Sequence, residues 1–292
     1  ACDGAFSAVR GRLQRTTGFN YQQSYLGHGY KELEIPGNED GTYKLESDCL
    51  HIWPRSEFMM IALPNIDGSF TLTLFMSLTG KESFEKLDSN EKISAFFQEK
   101  FADAVPLIPN LIEDFNSNPV GSLMTVKCDP WHYNDDILLL GDAAHAIVPF
   151  YGQGMNAGFQ DCSVFQDMYE ARHGNWDGLM KDFSDVHYKN GHAIADLALY
   201  NYIEMRDKTA DPDFLLRKKI ESKFSKMYPD RWLPLYSQVT FSQTPYAEAV
   251  ENGNRQRAIM DEVMEMENIH NIWDDLQVID KINHLLDKQK TH

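Results

Sequence analysis

The chain has 292 residues and a mass of 33.6 kDa, which is enough for one large or two medium domains with a buried core. Hydrophobic residues make up 42% of it and charged residues 24%, so a mainly disordered or collagen-like chain is excluded. The net charge of −17 argues against a nucleic acid or an anionic membrane surface as a partner.

The first hundred residues predict an antiparallel sheet followed by a helix. Segments rich in aromatic, β-branched and long apolar residues indicate strands over 21–30, 50–53, 58–63 and 70–78. The last two flank Asp67-Gly68, a dipeptide that suits a hairpin turn. Apolar residues at helical spacing then predict a helix over 90–101, which the Pro-rich stretch 106–109 ends or kinks.

The second half of the chain predicts one buried strand and then helices. The continuous apolar run at 137–140 is typical of a strand buried on both faces, as in a parallel or mixed α/β sheet. Apolar spacing predicts a helix over about 154–170 and further helices over 183–207, 212–228 and 246–286. The acidic polar face of the last helix favours packing onto the protein over membrane contact.

A glycine-rich segment after residue 140 carries the strongest local signal for a ligand site. Asp142 comes just after a strand end, where a carboxylate can accept hydrogen bonds from ligand hydroxyls, although an ordinary turn residue explains the same position. Gly152 and Gly154 let the backbone approach a ligand closely, and the amino terminus of the helix that they open favours negative charge. Their spacing is not that of a dinucleotide fingerprint.

Two motifs together are more specific than either alone. Gly-Asp-Ala-Ala-His at 141–145, followed by Pro-x-x-Gly-Gln-Gly-x-Asn at 149–156, resembles the second flavin motif of the group A flavoprotein monooxygenases, which have the para-hydroxybenzoate hydroxylase fold. Asp-Gly-Ala-Phe-Ser-Ala-Val-Arg at 3–10 resembles the same family's Asp-Gly motif.

The resemblance implies a mixed α/β (α+β) fold built around part of an FAD-binding Rossmann-like domain. An antiparallel-sheet substrate domain is inserted into that domain, and a C-terminal helical region follows it. The implied boundaries are 1–12 for the Asp-Gly part, 13–128 for the sheet with its helix, 129–180 for the return to the FAD-binding domain and 181–292 for the helical region.

Within this family the chain is most similar to the members that hydroxylate L-kynurenine. The similarity rests on residues 25–33, 51–55, 234–241 and above all Asn-Tyr-Ile-Glu-Met-Arg-Asp at 201–207. It implies FAD contacts at Asp3, Arg10, Asp142, Gly152, Gly154, Met155 and Asn156. It implies substrate contacts at Leu50, Met59, Ile61, Leu63, Thr73, Phe75, Pro149, Phe150, Tyr151, Asn201, Glu204, Met205 and Tyr236. Several relatives have a His at the position of Tyr151, so the sequence leaves its contact open.

The resemblance also implies the chemistry. NADPH reduces FAD, O2 forms a flavin C4a-hydroperoxide, and its distal oxygen attacks the ring of L-kynurenine to give 3-hydroxykynurenine in tryptophan degradation. Because the cofactor carries this chemistry, no side chain is assigned as catalytic and no metal is expected. The protein's part is to position the ring and to keep water away from the reacting atoms.

Alternative interpretations stay open at this stage. Met59, Ile61 and Leu63 alternate on one predicted strand and Thr73 and Phe75 on the next, so each set faces one side, but they can equally form a core. Without the family, 201–207 is an ordinary helix with a solvated charged face. The function can also be hydroxylation of another aromatic ring by a group A enzyme, or binding of an aromatic amino acid by a module without flavin.

Other chemistry has no support in the sequence. No H-E-x-x-H, G-x-S-x-G or G-x-x-x-x-G-K-[ST] pattern occurs. The cysteines at 2, 49, 128 and 162 lack C-x-x-C spacing, so neither a zinc knuckle nor a disulfide framework is predicted, and a reducing cytoplasm fits best.

The family's Gly-x-Gly-x-x-Gly turn is not in this sequence. We therefore expect the C-terminal two thirds of a longer enzyme, with weak FAD binding by this chain alone. No run of eighteen apolar residues occurs, so no membrane anchor is predicted in this chain. A cytoplasmic location is expected, with the mitochondrial outer membrane as the alternative for a truncated eukaryotic form, and the resemblance is compatible with a homodimer.

Overall fold

The computed structural model describes residues 1–209 and 211–289, which form two compact units. The sheet unit consists of Ser24–Met124 and Ile203–Thr209. The helical unit consists of Ala1–Gln23, Thr125–Tyr202 and the described residues after 210. In chain order the helices and strands are α1 (Ala8–Leu13), β1 (Asn20–Ile35), β2 (His51–Pro54), β3 (Met59–Pro64), β4 (Phe70–Ser77), α2 (Asn90–Lys100), α3 (Leu111–Ser117), β5 (Gly121–Asp129), β6 (His132–Tyr133), β7 (Ile137–Leu138), α4 (Asp142–His145), α5 (Gly154–Ala171), α6 (Leu179–Ile203), a π-helical turn (Glu204–Lys208, the π-turn), α7 (Pro212–Met227), α8 (Leu235–Phe241), α9 (Tyr246–Met264), α10 (Ile269–Ile272) and α11 (Leu276–Gln289).

The predicted antiparallel strands are confirmed as β1 to β4. They form a five-stranded sheet with β5 in the order β2-β3-β4-β1-β5, and the β1–β4, β2–β3 and β3–β4 pairs are antiparallel. The predicted hairpin turn joins β3 to β4. Its ends are held by Asn65, whose N–H donates to the Ser69 carbonyl at 2.8 Å, and by Asp67, whose carboxylate accepts from the Ser69 N–H at 3.0 Å.

One face of the sheet carries the core of the sheet unit. Met60 lies opposite Leu74, and Ala62 lies opposite Leu72, so these four side chains share a face. The predicted helix over 90–101 is confirmed as α2, and it packs with α3 against this face. The buried members of the cluster are Leu33, Ile35, Phe58, Met60, Ala62, Phe70, Leu72, Leu74, Met76, Ile93, Phe97, Phe101, Ala104, Ile108, Leu111 and Phe115.

The other face of the sheet carries the residues between those positions. Met59 lies opposite Phe75, and Ile61 lies opposite Thr73. Because successive side chains of a strand point to opposite faces, this set is separated from the core by the thickness of the sheet. None of the four belongs to the helix-packed cluster.

The apolar run at 137–140 differs from its prediction. Only Ile137–Leu138 is a strand, and it pairs antiparallel with β6 instead of lying in a parallel sheet of the described residues. Its other backbone hydrogen bonds go to Trp131 and to Ala1, and the Leu139 N–H donates to the Trp131 carbonyl at 2.7 Å. The Ala1 amine donates to the Leu138 carbonyl at 2.5 Å and the Leu140 N–H donates to the Ala1 carbonyl at 3.0 Å, which is the bonding pattern of a parallel pair.

The helices after residue 150 follow the predictions closely, with two differences. The predicted helices over 154–170 and 212–228 are confirmed as α5 and α7. The single helix predicted over 246–286 is instead three helices, and Asn268 adopts a left-handed backbone (φ 60°) at the first break, between α9 and α10. The helix predicted over 183–207 ends at Ile203, where the π-turn begins.

Within residues 1–209 and 211–289, no helix combines the length and the apolar character needed to cross a membrane.

Candidate functional site

The Asp-Gly segment at the start of the chain caps helix α1. The Asp3 carboxylate accepts hydrogen bonds from the Ser7 hydroxyl at 2.6 Å, the Ala8 N–H at 2.8 Å and the Val9 N–H at 3.2 Å. The bond from Ser7 is the main reason why the pKa of Asp3 is lowered below its ordinary value. The structure thus shows Asp3, predicted as an FAD contact, in a helix-capping role.

Arg10 is buried and links α1 to the turn formed by Gly141 and Asp142, here called the Gly-Asp turn. Its Nη1 donates to the carbonyl of Ala143 at 2.7 Å, and its Nη2 donates to the carbonyl of Ala5 at 2.5 Å. Arg10 was predicted as an FAD contact. The bonds in the structure are to protein carbonyls, so its visible role is to hold the two flavin motifs together.

The Gly-Asp turn needs glycine. Gly141 has φ 59° and ψ −144°, a conformation that side chains resist. A Cβ added at Gly158 of α5 would lie 3.6 Å from the Gly141 Cα, so α5 packs directly against the turn. Asp142 begins α4 and is exposed, and none of the hydrogen bonds found in the described residues uses its carboxylate oxygens. The turn therefore presents a carboxylate with its accepting capacity intact.

A buried carboxylate lies directly behind this turn. Asp161 of α5 is only 1% exposed, and its Oδ2 accepts from the Gly141 N–H at 2.7 Å and from His145 Nε2 at 2.7 Å. Its Oδ1 accepts from His187 Nε2 at 2.9 Å. Burial by itself would raise the pKa of Asp161, but the hydrogen bonds from both histidines and from Gly141 lower it to about 2. Asp161 is therefore an ionised, three-coordinated carboxylate.

The start of α5 combines open backbone with exposed apolar side chains. Gly152 has a left-handed backbone (φ 66°), and a Cβ added there would meet no atom within 4 Å. Gln153 is the N-cap residue of α5, but its side chain makes no capping hydrogen bond. The N–H groups of the first turn, from Gly154 onward, therefore receive no side-chain cap from Gln153. Met155 and Phe159 are 71% and 64% exposed and lie one turn apart.

A buried polar network holds the same segment from the C-terminal helices. The Gln153 amide oxygen accepts from the Tyr246 hydroxyl at 3.2 Å and from Asn156 Nδ2 at 3.2 Å. Burial raises the pKa of Tyr246, so its phenol stays protonated and can donate. Asn156 was predicted as a cofactor contact, and the structure places it, exposed, at the end of this network.

The predicted substrate residues of the helical unit lie close together. Asn201 Nδ2 donates to the Phe150 carbonyl at 2.7 Å. Tyr236 stacks on Tyr151, with ring centres 5.5 Å apart and planes at 21°. Phe150 and Tyr151 are buried, Tyr236 is 47% exposed, and Pro149 is exposed at the start of their turn. Asn201, a substrate contact by resemblance, thus bonds to the backbone of the Pro149–Tyr151 turn.

The predicted substrate residues of the sheet lie on the face away from the core cluster. Met59, Ile61, Thr73 and Phe75 are 0%, 9%, 9% and 2% exposed, so all four are buried without belonging to that cluster. Both the assignment to a substrate and the alternative, a second buried core, agree with this placement. Leu63 and Leu50 are 47% and 42% exposed.

Glu204 and Met205 belong to the π-turn, in the sheet unit, and this turn contacts β2. Met205 is buried and Glu204 is half-buried. The helix predicted over 183–207 changes from α to π at Glu204, so the spacing of Glu204 and Met205 from Asn201 is not that of an α-helix. The neighbouring Arg206 forms two hydrogen bonds with the Asp207 carboxylate, at 2.5 and 2.7 Å.

Sequence reasoning missed the residues that support the site from behind. Asp161, His187 and Tyr246 were not predicted, and His145 was used only as part of a motif. One signal was available, since the buried stripe of α5 contains only Ala157 and Asp161, and an acid on a buried stripe requires a partner.

Comparison with a protein family covers the first part of the chain. The profile of the FAD binding domain family matches residues 1–166, which include both flavin motifs and Asp161.

Curated relatives cover nearly the whole chain. It is 52% identical over 286 residues to a kynurenine 3-monooxygenase of Flavobacterium johnsoniae, covering 98% of this chain and 64% of that protein. It is 50% identical over 287 residues to the Flavobacterium psychrophilum protein of the same name, with the same coverage. The similarly named Dictyostelium discoideum protein is 44% identical over 93% of this chain and 62% of that protein. The chain thus spans less than two thirds of the length of these relatives.

Solved structures show a shared fold. The tetrameric form of 2-methyl-3-hydroxypyridine-5-carboxylic acid oxygenase aligns with a TM-score of 0.56 at 20% identity, over 72% of this chain and 56% of that one. The tetracycline destructase Tet(55) aligns with a TM-score of 0.51 at 15% identity, over 83% of this chain and 60% of that one. At these identities the likeness extends to the fold and no further.

Proposed function

The chain belongs to the FAD binding domain family, and from this premise we propose that it is part of an FAD-dependent, NADPH-consuming hydroxylase that converts L-kynurenine to 3-hydroxykynurenine. The observation that carries the proposal is the 52% identity over 98% of the chain to a protein named kynurenine 3-monooxygenase. The activity belongs to the whole protein, of which this chain matches 64% in that relative.

The residues of the Gly-Asp turn and of α5 fit a flavin. Asp142 offers exposed acceptor oxygens suited to the hydroxyls of a ribityl chain. The amino terminus of α5 offers N–H groups and a positive dipole end to the electron-rich edge of a ring system. Met155 and Phe159 give the exposed apolar surface that a planar ring would cover. These residues therefore match a flavin in charge, in hydrogen-bonding groups and in polarity.

When bound, the flavin supplies hydride acceptance from NADPH and the activation of O2. The chain's own residues hold the flavin. Asp142 accepts hydrogen bonds from the hydroxyls of its ribityl chain, and the backbone from Gly152 to Asn156 faces its ring. The resemblance also assigns Asp3 and Arg10 to FAD, and that assignment is part of the proposal. Within the chain, Arg10 donates to the Ala143 carbonyl and Asp161 accepts from the Gly141 amide. They fix the turn that carries Asp142.

The sheet unit supplies apolar contacts to an aromatic substrate. Met59, Ile61 and Phe75 carry thioether, aliphatic and aromatic side chains on the face opposite the core, and Thr73 adds one hydroxyl. Such a face binds a ring by apolar burial and excludes water from it. Leu50 and Leu63 are more exposed and are assigned to its margin. Met205 and Glu204 of the π-turn are assigned to the same substrate set.

The helical unit supplies the Pro149–Tyr151 turn and its two supports. Asn201 holds the Phe150 carbonyl and Tyr236 stacks on the Tyr151 ring, so the turn is fixed from α6 and from α8. Tyr236, with its half-exposed ring, is the residue of this group best able to donate a hydroxyl to the amino-acid end of a substrate.

The test is product formation by the complete protein loaded with FAD. With NADPH, O2 and L-kynurenine, we expect 3-hydroxykynurenine to accumulate in step with NADPH loss, measured by chromatography together with peroxide. NADPH loss with peroxide and no product is uncoupled turnover and does not support the proposal. Product from simple phenolic acids alone would show that another aromatic ring is the substrate.

Calorimetry distinguishes the proposed enzyme from the alternative, a module that binds an aromatic amino acid without flavin. If the protein without flavin binds kynurenine tightly and never takes up FAD, the enzymatic proposal is wrong.

Two further proposals concern the complete protein. We propose a cytoplasmic location, checked by fractionation of the source cells, and a homodimer, checked by light scattering.

A further inference from the structure

We propose that Asp161 is the positioning residue of the Gly-Asp turn: through the Gly141 amide its carboxylate fixes the turn that presents Asp142, and cofactor affinity depends on it. This inference rests on the proposed function, because the affected ligand is the flavin assigned to Asp142. Asp161 itself is 1% exposed inside the helical unit, so the proposed role is to position the turn and not to bind the ligand directly.

The first support is the direct bond to the turn. Gly141 N–H donates to Asp161 Oδ2 at 2.7 Å, and Gly141 is the residue immediately before Asp142. At φ 59° and ψ −144° the Gly141 backbone is far from the conformations that most residues prefer, so an external bond is needed to select it. A bond to an ionised oxygen is among the strongest available for this.

The second support is that the carboxylate cannot turn away. His145, at the end of α4, shares Oδ2 with Gly141, and His187 of α6 holds Oδ1 at 2.9 Å. The two rings are fixed in turn, because the Trp131 ring lies 4.9 Å from His145 and the Phe183 ring lies 5.0 Å from His187. The orientation of Asp161 is therefore determined from three elements.

The third support is that neither metal binding nor packing explains the cluster formed by Asp161, His145 and His187. Among the described residues no group of His, Cys, Asp or Glu is arranged to hold a metal ion, and here both Nε2 atoms face carboxylate oxygens. Burying a charge of this kind is costly unless it is fully bonded, and an apolar residue would fill the space without that cost. The bond to Gly141 is what an apolar residue at 161 would not provide.

The experiment measures FAD affinity of the complete protein after removal of the flavin. For Asp161→Ala we expect FAD to bind about ten- to a hundredfold more weakly, the effect of losing a hydrogen bond to a charged group. Asp161→Asn keeps one acceptor oxygen for three donors, so we expect an intermediate loss of about three- to tenfold. Affinity is measured by fluorescence titration at a temperature where circular dichroism shows each variant folded.

Two controls separate positioning from general destabilisation. Asp167→Asn changes an exposed acid on the same helix and should leave affinity unchanged. Ile220→Ala opens a cavity in the C-terminal cluster of the same unit and should lower stability without weakening FAD binding to the folded protein. Hydrogen exchange at Gly141 in the flavin-free protein should accelerate in Asp161→Ala and not in Ile220→Ala, a readout that a purely structural role would not produce.

The outcomes are distinct. If wild type takes up no FAD, the proposed function fails. If wild type binds FAD and folded Asp161→Ala binds it within twofold of wild type, the inference fails alone. Should Asp161→Ala not fold, Asp161→Asn decides: unchanged affinity and unchanged exchange at Gly141 overturn the inference, and weaker binding with faster exchange supports it.

Discussion

The helical unit and the sheet unit differ in how their candidate ligand-binding residues are connected to their buried residues. In the helical unit the buried Asp161 bonds to Gly141, and the buried Arg10 bonds to the carbonyls of Asp142 and Ala143, so one set of hydrogen bonds serves both stability and the candidate cofactor site. In the sheet unit the core and the candidate substrate residues lie on opposite faces, as Leu74 and its neighbour Phe75 illustrate.

The difference follows from the two kinds of backbone. A strand alternates its side chains, so stability and binding can be assigned to separate faces of one element. A turn at Gly141 has no such second face, and its unusual backbone must be held by the residues that surround it. Substitutions should therefore separate stability from binding in the sheet unit, whereas substitution of a group that holds the Gly-Asp turn should change both.

The largest expected effect is on the core face of the sheet. Leu74→Ala should lower the free energy of unfolding by about 3 kcal/mol, because Leu74 is fully buried in the helix-packed cluster. At temperatures where the protein stays folded, the KM for kynurenine should not change. Urea unfolding and steady-state kinetics check both, with Leu74→Met as the volume-matched control. A raised KM without lost stability would contradict the division between the faces.

The next effect is a pH dependence in the helical unit. The pKa of Asp161 is about 2 in the folded protein against an ordinary 3.8, so its ionised form contributes about 2 kcal/mol of stability at neutral pH. The sign is that of a lowered pKa: the contribution is complete above about pH 4 and is lost as the pH falls toward 2. Unfolding should show this acid loss in wild type and not in Asp161→Asn, and equal slopes would contradict it.

A smaller effect is expected on the opposite sheet face. Phe75→Leu should raise the KM for kynurenine about tenfold, the equivalent of roughly 1.4 kcal/mol, because it removes aromatic surface from the proposed substrate face. Phe97→Leu makes the same change inside the core and is the matched control. It should lower the unfolding temperature and leave KM unchanged. If the two variants exchanged these phenotypes, the assignment of the faces would be wrong.

The smallest effect concerns the network at the start of α5. Tyr246→Phe removes one hydroxyl that donates to Gln153, while Asn156 still donates to the same oxygen. We expect about threefold weaker FAD binding and a stability loss below about 1 kcal/mol. Tyr228→Phe, in the C-terminal cluster, is the control. An unchanged FAD affinity would show that this network supports the fold alone.

Much of the secondary structure could be predicted from local pattern. The strands β1 to β4 and the helices α2, α5 and α7 follow from period-two and helical spacing, and the hairpin follows from Asp67-Gly68. The strand β5 and the helix α3 were not predicted. The break at Asn268 was missed because it depends on one residue's left-handed backbone inside a continuous apolar stripe.

The candidate site could be predicted only in part. Asp142 and the glycines at 152 and 154 could be proposed from the sequence, because that proposal depends on residue type and spacing. The roles of Arg10 and Asn201 were not, since both side chains bond to carbonyls that are distant in sequence, 133 and 51 residues away. Asp161 was missed for the same reason, with partners in three different elements.

The sequence by itself determined the element types, the two flavin motifs and the family, because these depend on local spacing and residue identity. Only the tertiary structure decided which buried polar groups support the Gly-Asp turn, that 137–140 is a short paired segment, and that Leu74 and Phe75 serve opposite faces of one sheet. Those properties depend on which distant residues meet, and a linear pattern does not specify the partners of a buried donor or acceptor.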